Sequence, residues 1–189
     1  MPGYARVVPV RLVYETHAIT TDNEAGIATG WLPGRLSAAG RVTAAELGER
    51  RRSDDIDAIY VSDLARARET VDLAFPHTAI PVVIDARLRE CNYGELNGMP
   101  RGRLDAERAS HIGDPWPGGE SYRDVVRRTR SLLTEVAERH AGGRVLLVAH
   151  SANRVALDHL LRGRDLETLL DEPFEWQPGW EYELPEGWR

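Results

Sequence analysis

Apolar and polar positions along the chain follow two different periods. Short apolar runs rich in β-branched residues predict strands at 10–15, 56–62, 80–85 and 144–150. Between these runs, apolar residues recur at helical spacing and predict helices at 37–52, 63–75, 120–140 and 153–163. A weaker alternation predicts an edge strand at 181–184.

Residues that cap or end helices support these boundaries. Ser37 and Ser62 precede predicted helices as N-caps, while Pro76 and Gly163 follow helix ends. The residues of the helix 37–52 expected to face the core are Val42, Ala45 and Leu47.

Strands that alternate with helices predict an α/β fold, a three-layer α/β/α sandwich around a mostly parallel central sheet. The continuous apolar run at 145–149 is typical of a strand buried on both faces. A length of 189 residues suits one domain, which we place at 1–189.

Composition narrows the class of protein. A formal net charge of −6 argues against a nucleic-acid partner, because phosphate backbones are bound by basic surfaces. No apolar run approaches the roughly 18 residues of a membrane helix, and the N-terminal segment lacks the apolar stretch of a signal peptide. The single cysteine, Cys91, allows no intramolecular disulfide and fits a reducing compartment. We therefore expect a soluble, cytoplasmic protein without a membrane partner.

Polar side chains with catalytic potential follow the predicted strands. His17 comes after the first strand, Arg66 lies on the helix after the second, and His150 ends the strand 144–150. Glu90 comes shortly after 80–85. Because ligands bind beyond the carboxyl ends of the strands in open α/β sheets, we expect these side chains to meet at one edge.

This set of residues favours phosphoryl transfer. A neutral imidazole is a good nucleophile toward phosphorus, and a second imidazole and a guanidinium stabilise the phosphoryl oxygens. A carboxylic acid can protonate the leaving alkoxide and then deprotonate water. The sequence has no paired histidines or cysteines of a zinc site, no Gly-x-Ser-x-Gly elbow and no Walker loop.

Five motifs, in order, resemble the histidine phosphatase superfamily with its phosphoglycerate mutase-like fold. The family's Arg-His-Gly-x-Thr, followed by Asn, corresponds here to residues 16–20 and Asn23. Its further motifs are similar to SDLARARET (62–70), LRECNYGELNG (88–98), PGGESYRDVVRR (117–128) and VLLVAHS (145–151). The segment 30–48 is similar to the family's entry into its first helix, and the resemblance runs from about Arg11 to Gly163.

The resemblance implies a role for each matching residue. His17 would attack phosphorus and form a phosphohistidine, and Glu90 would act as general acid and then as base. The residues implied or nominated to hold the substrate are Arg66, His150, Thr16, Thr20, Asn23, Ser151 and Arg154. No metal or organic cofactor is expected.

Thr16 stands where the family has an arginine, so a bidentate clamp for phosphate is replaced by one hydroxyl. Three explanations are open: another cation fills the gap, the substrate carries less charge, or the chain binds an anion without catalysis. The leading candidate for the other cation is Arg154, followed by Arg11, Arg35 and Arg89.

The predicted function is hydrolysis of a small phosphorylated metabolite, with a phosphomutase or an inactive anion-binding protein as alternatives. The short stretch 99–116 favours hydrolysis, because a small lid admits water. Its residues Arg101, Arg103 and Trp116 either contact the rest of the substrate or belong to a solvated loop. Trp176, Trp180 and Trp188 are expected to pack the tail on the domain, or else to form a homodimer contact.

Overall fold

The protein is described by a computed structural model, which covers residues 8–185, 187 and 188. Residues 1–7, on which the expected absence of a leader partly rests, lie outside the described residues. The strands are β1 (Val10–Thr16), β2 (Ile27–Ala28), β3 (Ala58–Val61), β4 (Val82–Ile84), β5 (Met99–Pro100), β6 (Arg144–Ala149) and β7 (Trp180–Leu184).

The α-helices are α1 (Thr21–Glu24), α2 (Ala38–Arg51), α3 (Ala65–Ala74), α4 (Arg101–Glu107), α5 (Tyr122–Arg139), α6 (Ser151–Arg162) and α7 (Leu166–Asp171). Short 3₁₀ turns occur at Ala86–Leu88, Gly94–Leu96 and Arg108–His111.

A five-stranded sheet in the order β4-β3-β6-β1-β7 forms the centre of the fold. Its strands are parallel except β7, which pairs antiparallel with β1 at the edge. Thr16 pairs with Ala149, so the carboxyl ends of β1 and β6 are level. The predicted α/β fold with a mostly parallel sheet is confirmed, and so is the edge strand near the C-terminus.

The two faces of the sheet carry separate cores. On one face, Leu12 and Tyr14 of β1 pack with Leu132 of α5 and Leu157 of α6. On the other face, β1 and β3 pack against α3, with α2 beside it. Because side chains alternate along a strand, neighbouring residues of β1 face different cores. Glu15 therefore points to the face covered by α2.

Three details of the sequence interpretation are wrong. Val42 is 59% exposed and Ala45 is exposed as well, because α2 packs through Leu47, as predicted, and otherwise through its small residues. At Gly40 an added Cβ would lie 1.8 Å from the carbonyl oxygen of Ile19, so only glycine allows this close approach of helix and loop. Ser62 does not cap α3, whose N-cap is Leu64. Within the described range, no helix is both long and apolar enough to cross a bilayer.

Candidate active site

A cavity of about 420 Å³ opens at the carboxyl end of β1. Three of the predicted catalytic residues line it: His17 after β1, Arg66 on α3 and Glu90 after the Ala86–Leu88 turn. His150 is fully buried behind them, with its ring centroid 5.0 Å from that of His17. The sheet edge thus brings together the residues that the sequence nominated.

His17 presents a neutral nucleophilic nitrogen. Its Nδ1 lies 2.7 Å from the carbonyl oxygen of Ala18, so Nδ1 carries the proton and donates it. Its Nε2 accepts a 3.3 Å hydrogen bond from Nε of Arg66. Burial, and then the charge of Arg66, lower the pKa of His17 from 6.5 to about 3. The Nε2 lone pair is therefore unprotonated at neutral pH.

Arg66 is buried, with 2% of its surface exposed, and backbone carbonyl groups hold its guanidinium in place. Its Nη2 donates to the carbonyl oxygen of Gly30 at 2.8 Å, and its Nη1 donates to that of Leu32 at 3.2 Å. Gly30 has φ +56°, and an added Cβ would meet Oδ1 of Asn97 at 1.8 Å. The loop that holds the guanidinium therefore requires glycine at this position.

His150 offers a second imidazole. Its Nε2 lies 2.9 Å from Oγ of Ser62, and that oxygen accepts the N–H of Leu64. Ser62 can then donate its own proton to Nε2, which leaves the His150 proton on Nδ1. Nδ1 is buried and has no hydrogen-bond partner among the described residues. Burial holds the pKa of His150 well below its usual value, so this ring is neutral as well.

Glu90 is oriented by three donors. Its Oε1 accepts the N–H groups of Cys91 at 2.8 Å and Ala152 at 3.1 Å, and its Oε2 accepts the hydroxyl of Ser151 at 3.0 Å. Ala152 lies in the first turn of α6, so a backbone N–H at the start of that helix fixes the position of Oε1. Oε2, which accepts the one bond, is the oxygen better placed to exchange a proton in the cavity.

The remaining nominated residues divide into two groups. Thr16, Asn23 and Ser151 line the cavity. Thr20 is not among its described lining residues; it caps α1, with its Oγ1 accepting the N–H of Asn23 at 3.0 Å. Arg154 also lies outside the described lining, because its Nη1 donates to the buried carboxylate of Asp158 at 2.8 Å.

Thr70 fixes the backbone next to His17, a role that the sequence interpretation did not identify. Its Oγ1 accepts the N–H of Ala18 at 3.0 Å and donates to the carbonyl oxygen of Arg66 at 2.8 Å. It follows Arg66 by one helical turn, and it closes the motif SDLARARET. A threonine four residues after Arg66 was the feature of the sequence from which this role could have been predicted.

The sequence profile of the histidine phosphatase superfamily (branch 1) matches residues 16–176. The chain belongs to the histidine phosphatase superfamily. It is 32% identical over 167 residues to a putative phosphoserine phosphatase 2 of Hydrogenobacter thermophilus, covering 84% of this chain and 82% of the relative. It is 33% identical over 149 residues to a 2,3-bisphosphoglycerate-dependent phosphoglycerate mutase 2 of Gloeobacter violaceus, covering 70% and 68%.

Solved structures agree with this assignment. YhfR of Bacillus stearothermophilus superimposes with a TM-score of 0.78 at 28% identity, covering 89% of this chain and 88% of that one. A mycobacterial glucosyl-3-phosphoglycerate phosphatase gives a TM-score of 0.75 at 29% identity, covering 85% of each chain. Phosphatases and phosphoglycerate mutases are thus among the relatives of this chain, and they support phosphoric ester chemistry.

The four arginines nominated to replace the missing cation do not lie at the cavity. Besides Arg154, Arg89 is paired with Asp63 at 2.6 Å, and Arg11 and Arg35 are exposed. None of the four is among the described residues that line the cavity.

Arg50 does line the cavity, although the sequence analysis did not nominate it. Arg50 and Arg51 hold the buried carboxylate of Glu15, at 3.2 and 2.7 Å. The signal for this pair was an acidic residue inside an apolar strand, since a buried carboxylate needs a charged partner.

Proposed function

We propose that the protein is a phosphatase that hydrolyses a small phosphorylated substrate through a phosphohistidine on His17. The observation that carries this proposal is the neutral Nε2 of His17, which faces the guanidinium of Arg66 in a cavity that Glu90 also lines. A nucleophile, a fixed cation and a carboxyl group are the parts that phosphoryl transfer through a covalent intermediate requires.

In the first step, Nε2 of His17 forms a bond to phosphorus while the bond from phosphorus to the ester oxygen breaks. The carboxyl group of Glu90 supplies a proton to the departing alkoxide, so a neutral alcohol leaves. The hydrogen bond between Nδ1 of His17 and the Ala18 carbonyl stabilises the positive charge that develops on the ring.

In the second step, water attacks phosphorus and the bond between phosphorus and Nε2 breaks. The carboxylate of Glu90 takes a proton from that water, which restores the starting protonation state. Inorganic phosphate is released, and His17 returns to its neutral form.

Three groups stabilise the phosphoryl oxygens during both steps. Arg66 transfers its Nε hydrogen bond from His17 to an entering oxygen, since the backbone of Gly30 and Leu32 keeps its guanidinium in place. The unpartnered Nδ1–H of His150 donates to a second oxygen. Asn23 lines the cavity on the side of α1 and supplies a further polar contact.

The test is phosphate release from a broad panel of phosphomonoesters. His17→Asn is expected to lower turnover by at least about 10⁴-fold, because it removes the nucleophile. His77→Asn is the matched control, since His77 is exposed and has φ +57°, which asparagine tolerates. No release from any ester, or equal release by wild type and His17→Asn, would contradict the proposal.

A phosphomutase is the second candidate, because a phosphoglycerate mutase is among the relatives. Adding a second alcohol to the assay distinguishes the two reactions. A mutase transfers the phosphoryl group to the alcohol at the expense of free phosphate, whereas a phosphatase releases phosphate at an unchanged rate. Binding of inorganic phosphate without turnover would instead favour the inactive, anion-binding alternative.

A further inference from the structure

Much of the cavity has no part in the reaction steps described above. We call the following apolar lining residues the outer wall: Ile27, Leu47, Leu104, Phe174 and Trp176. They come from β2, α2, α4 and the segment before β7. A volume of about 420 Å³ falls in the range of sites that bind whole organic ligands. The cavity therefore has room for a leaving group as well as a phosphoryl group.

Trp176 is the unusual member of the outer wall. It is 58% exposed, whereas Trp180, four residues on, is 6% exposed and packs near Tyr14. Trp176 thus does not pack the tail onto the domain, which was the first of the two roles that the sequence suggested. A large indole beside a binding cavity provides a flat apolar surface for a ring to stack on.

The cations near the outer wall are already paired with carboxylates. Arg50 is held by Glu15, and Nε of Arg101 is bonded to both carboxylate oxygens of Asp105 at 2.9 and 3.1 Å. The third arginine of the lining, Arg66, lies at the nucleophile. A second anionic group on the substrate would therefore compete with a protein carboxylate for its cation.

We propose that the substrate's leaving group is uncharged and carries a flat apolar ring system that stacks on Trp176. This inference rests on the proposed phosphatase function and narrows its substrate class to ring-bearing phosphomonoesters. Trp176 is then a specificity-determining residue: it binds the leaving group and does not act on phosphorus.

The experiment compares kcat/KM for 2-naphthyl phosphate and for phosphoserine, whose leaving group is small and charged. Wild type is expected to favour 2-naphthyl phosphate by at least about tenfold. Trp176→Ala is expected to lose about tenfold on that ester, mainly through KM, and to leave phosphoserine unchanged. Trp176→Phe retains a ring and should keep most of the preference. Val42→Ala, at an exposed position on α2 outside the described lining, is the control.

A binding measurement separates this inference from the proposed function. Calorimetry with 2-naphthylmethyl phosphonate, which has no hydrolysable ester bond, measures the affinity that the outer wall contributes, in the absence of turnover. Weaker binding to Trp176→Ala with unchanged binding of inorganic phosphate supports the inference, even if no ester is hydrolysed. Equal phosphonate affinity in wild type and Trp176→Ala, or a wild-type preference for phosphoserine, would overturn it.

Discussion

At the inner end of the cavity, the side chains proposed to act on the substrate are held by hydrogen bonds, whereas the outer wall is apolar and partly open. Arg66 and Glu90 are bonded to backbone atoms of neighbouring loops, and both are nearly inaccessible to solvent. Trp176 is more than half exposed, and the charges beside it are paired with each other. Rigid preorganisation suits a common chemical step, and a looser apolar surface suits selection among leaving groups.

Replacing the acid at the inner end should have the largest effect among the variants below. Glu90→Gln removes the proton donor, so kcat/KM, which covers the steps up to release of the leaving group, is expected to fall about 10³-fold on alkyl phosphates. On 4-nitrophenyl phosphate the loss in kcat/KM should be much smaller, because that leaving group departs without a proton. Steady-state kinetics on both esters measure this difference, with Glu95→Gln as control. An equal loss on both esters would contradict the acid role.

Adding a cation at the inner end should raise activity. Thr16 lines the cavity at the end of β1, so Thr16→Arg is expected to increase kcat/KM about 10- to 100-fold through an added charge-assisted contact with the phosphoryl group. Thr16→Gln, which is long but neutral, serves as the control. Unchanged activity in Thr16→Arg would show that the missing charge does not limit the rate.

Disturbing the charge pair beside the outer wall should change stability and selectivity. Glu15→Gln removes the buried partner of Arg50 and Arg51, so the free energy of unfolding should fall by about 1–3 kcal/mol. It also frees the charge of Arg50, so the ratio of kcat/KM for phosphoserine to that for 2-naphthyl phosphate should rise roughly threefold. Urea unfolding and kinetics test both effects, with the exposed Glu183→Gln as control. An unchanged ratio would place Arg50 out of reach of the substrate.

The last of these predictions concerns the pH dependence of stability, which needs no substrate. Between its ordinary pKa of 6.5 and its folded pKa of about 3, His17 binds a proton in the unfolded state but not in the folded state. The free energy of unfolding therefore falls as pH falls through this range, by up to about 2 kcal/mol between pH 7 and pH 5. Urea unfolding should show a weaker pH dependence in His17→Asn and an unchanged one in His77→Asn. Equal dependence in all three proteins would contradict the neutral, buried state of His17.

The sequence predicted the inner end well because its residues follow strand ends in a fixed order. His17, Arg66 and His150 come after β1, β3 and β6, and parallel strands bring such positions to one edge. The parallel sheet and most of the helix positions were predicted from the spacing of apolar residues along the chain. Each strand and each helix was predicted from a pattern of residues that are neighbours along the chain.

The outer wall was not predicted, because contacts between distant segments create it. Trp176 reaches the cavity only because β7 returns antiparallel beside β1. Glu15 meets Arg50 because α2 crosses that face of the sheet. The exposure of Val42 has a related cause: besides Leu47, α2 packs through glycine and alanine, which an apolar pattern does not emphasise. Arg154 was nominated by its position after His150, but Asp158, one helical turn on, holds its guanidinium.

The most direct test of the central claim is to trap the covalent intermediate. Glu90→Gln is mixed with 4-nitrophenyl phosphate and quenched in alkali, in which phosphohistidine persists, and the modified peptide is located by mass spectrometry. One phosphoryl group is expected on His17, more abundant in Glu90→Gln than in wild type because water lacks its base, and absent from His17→Asn. Release of 4-nitrophenol with no phosphorylated peptide, or with the phosphoryl group on another residue, would contradict the assignment of His17 as nucleophile.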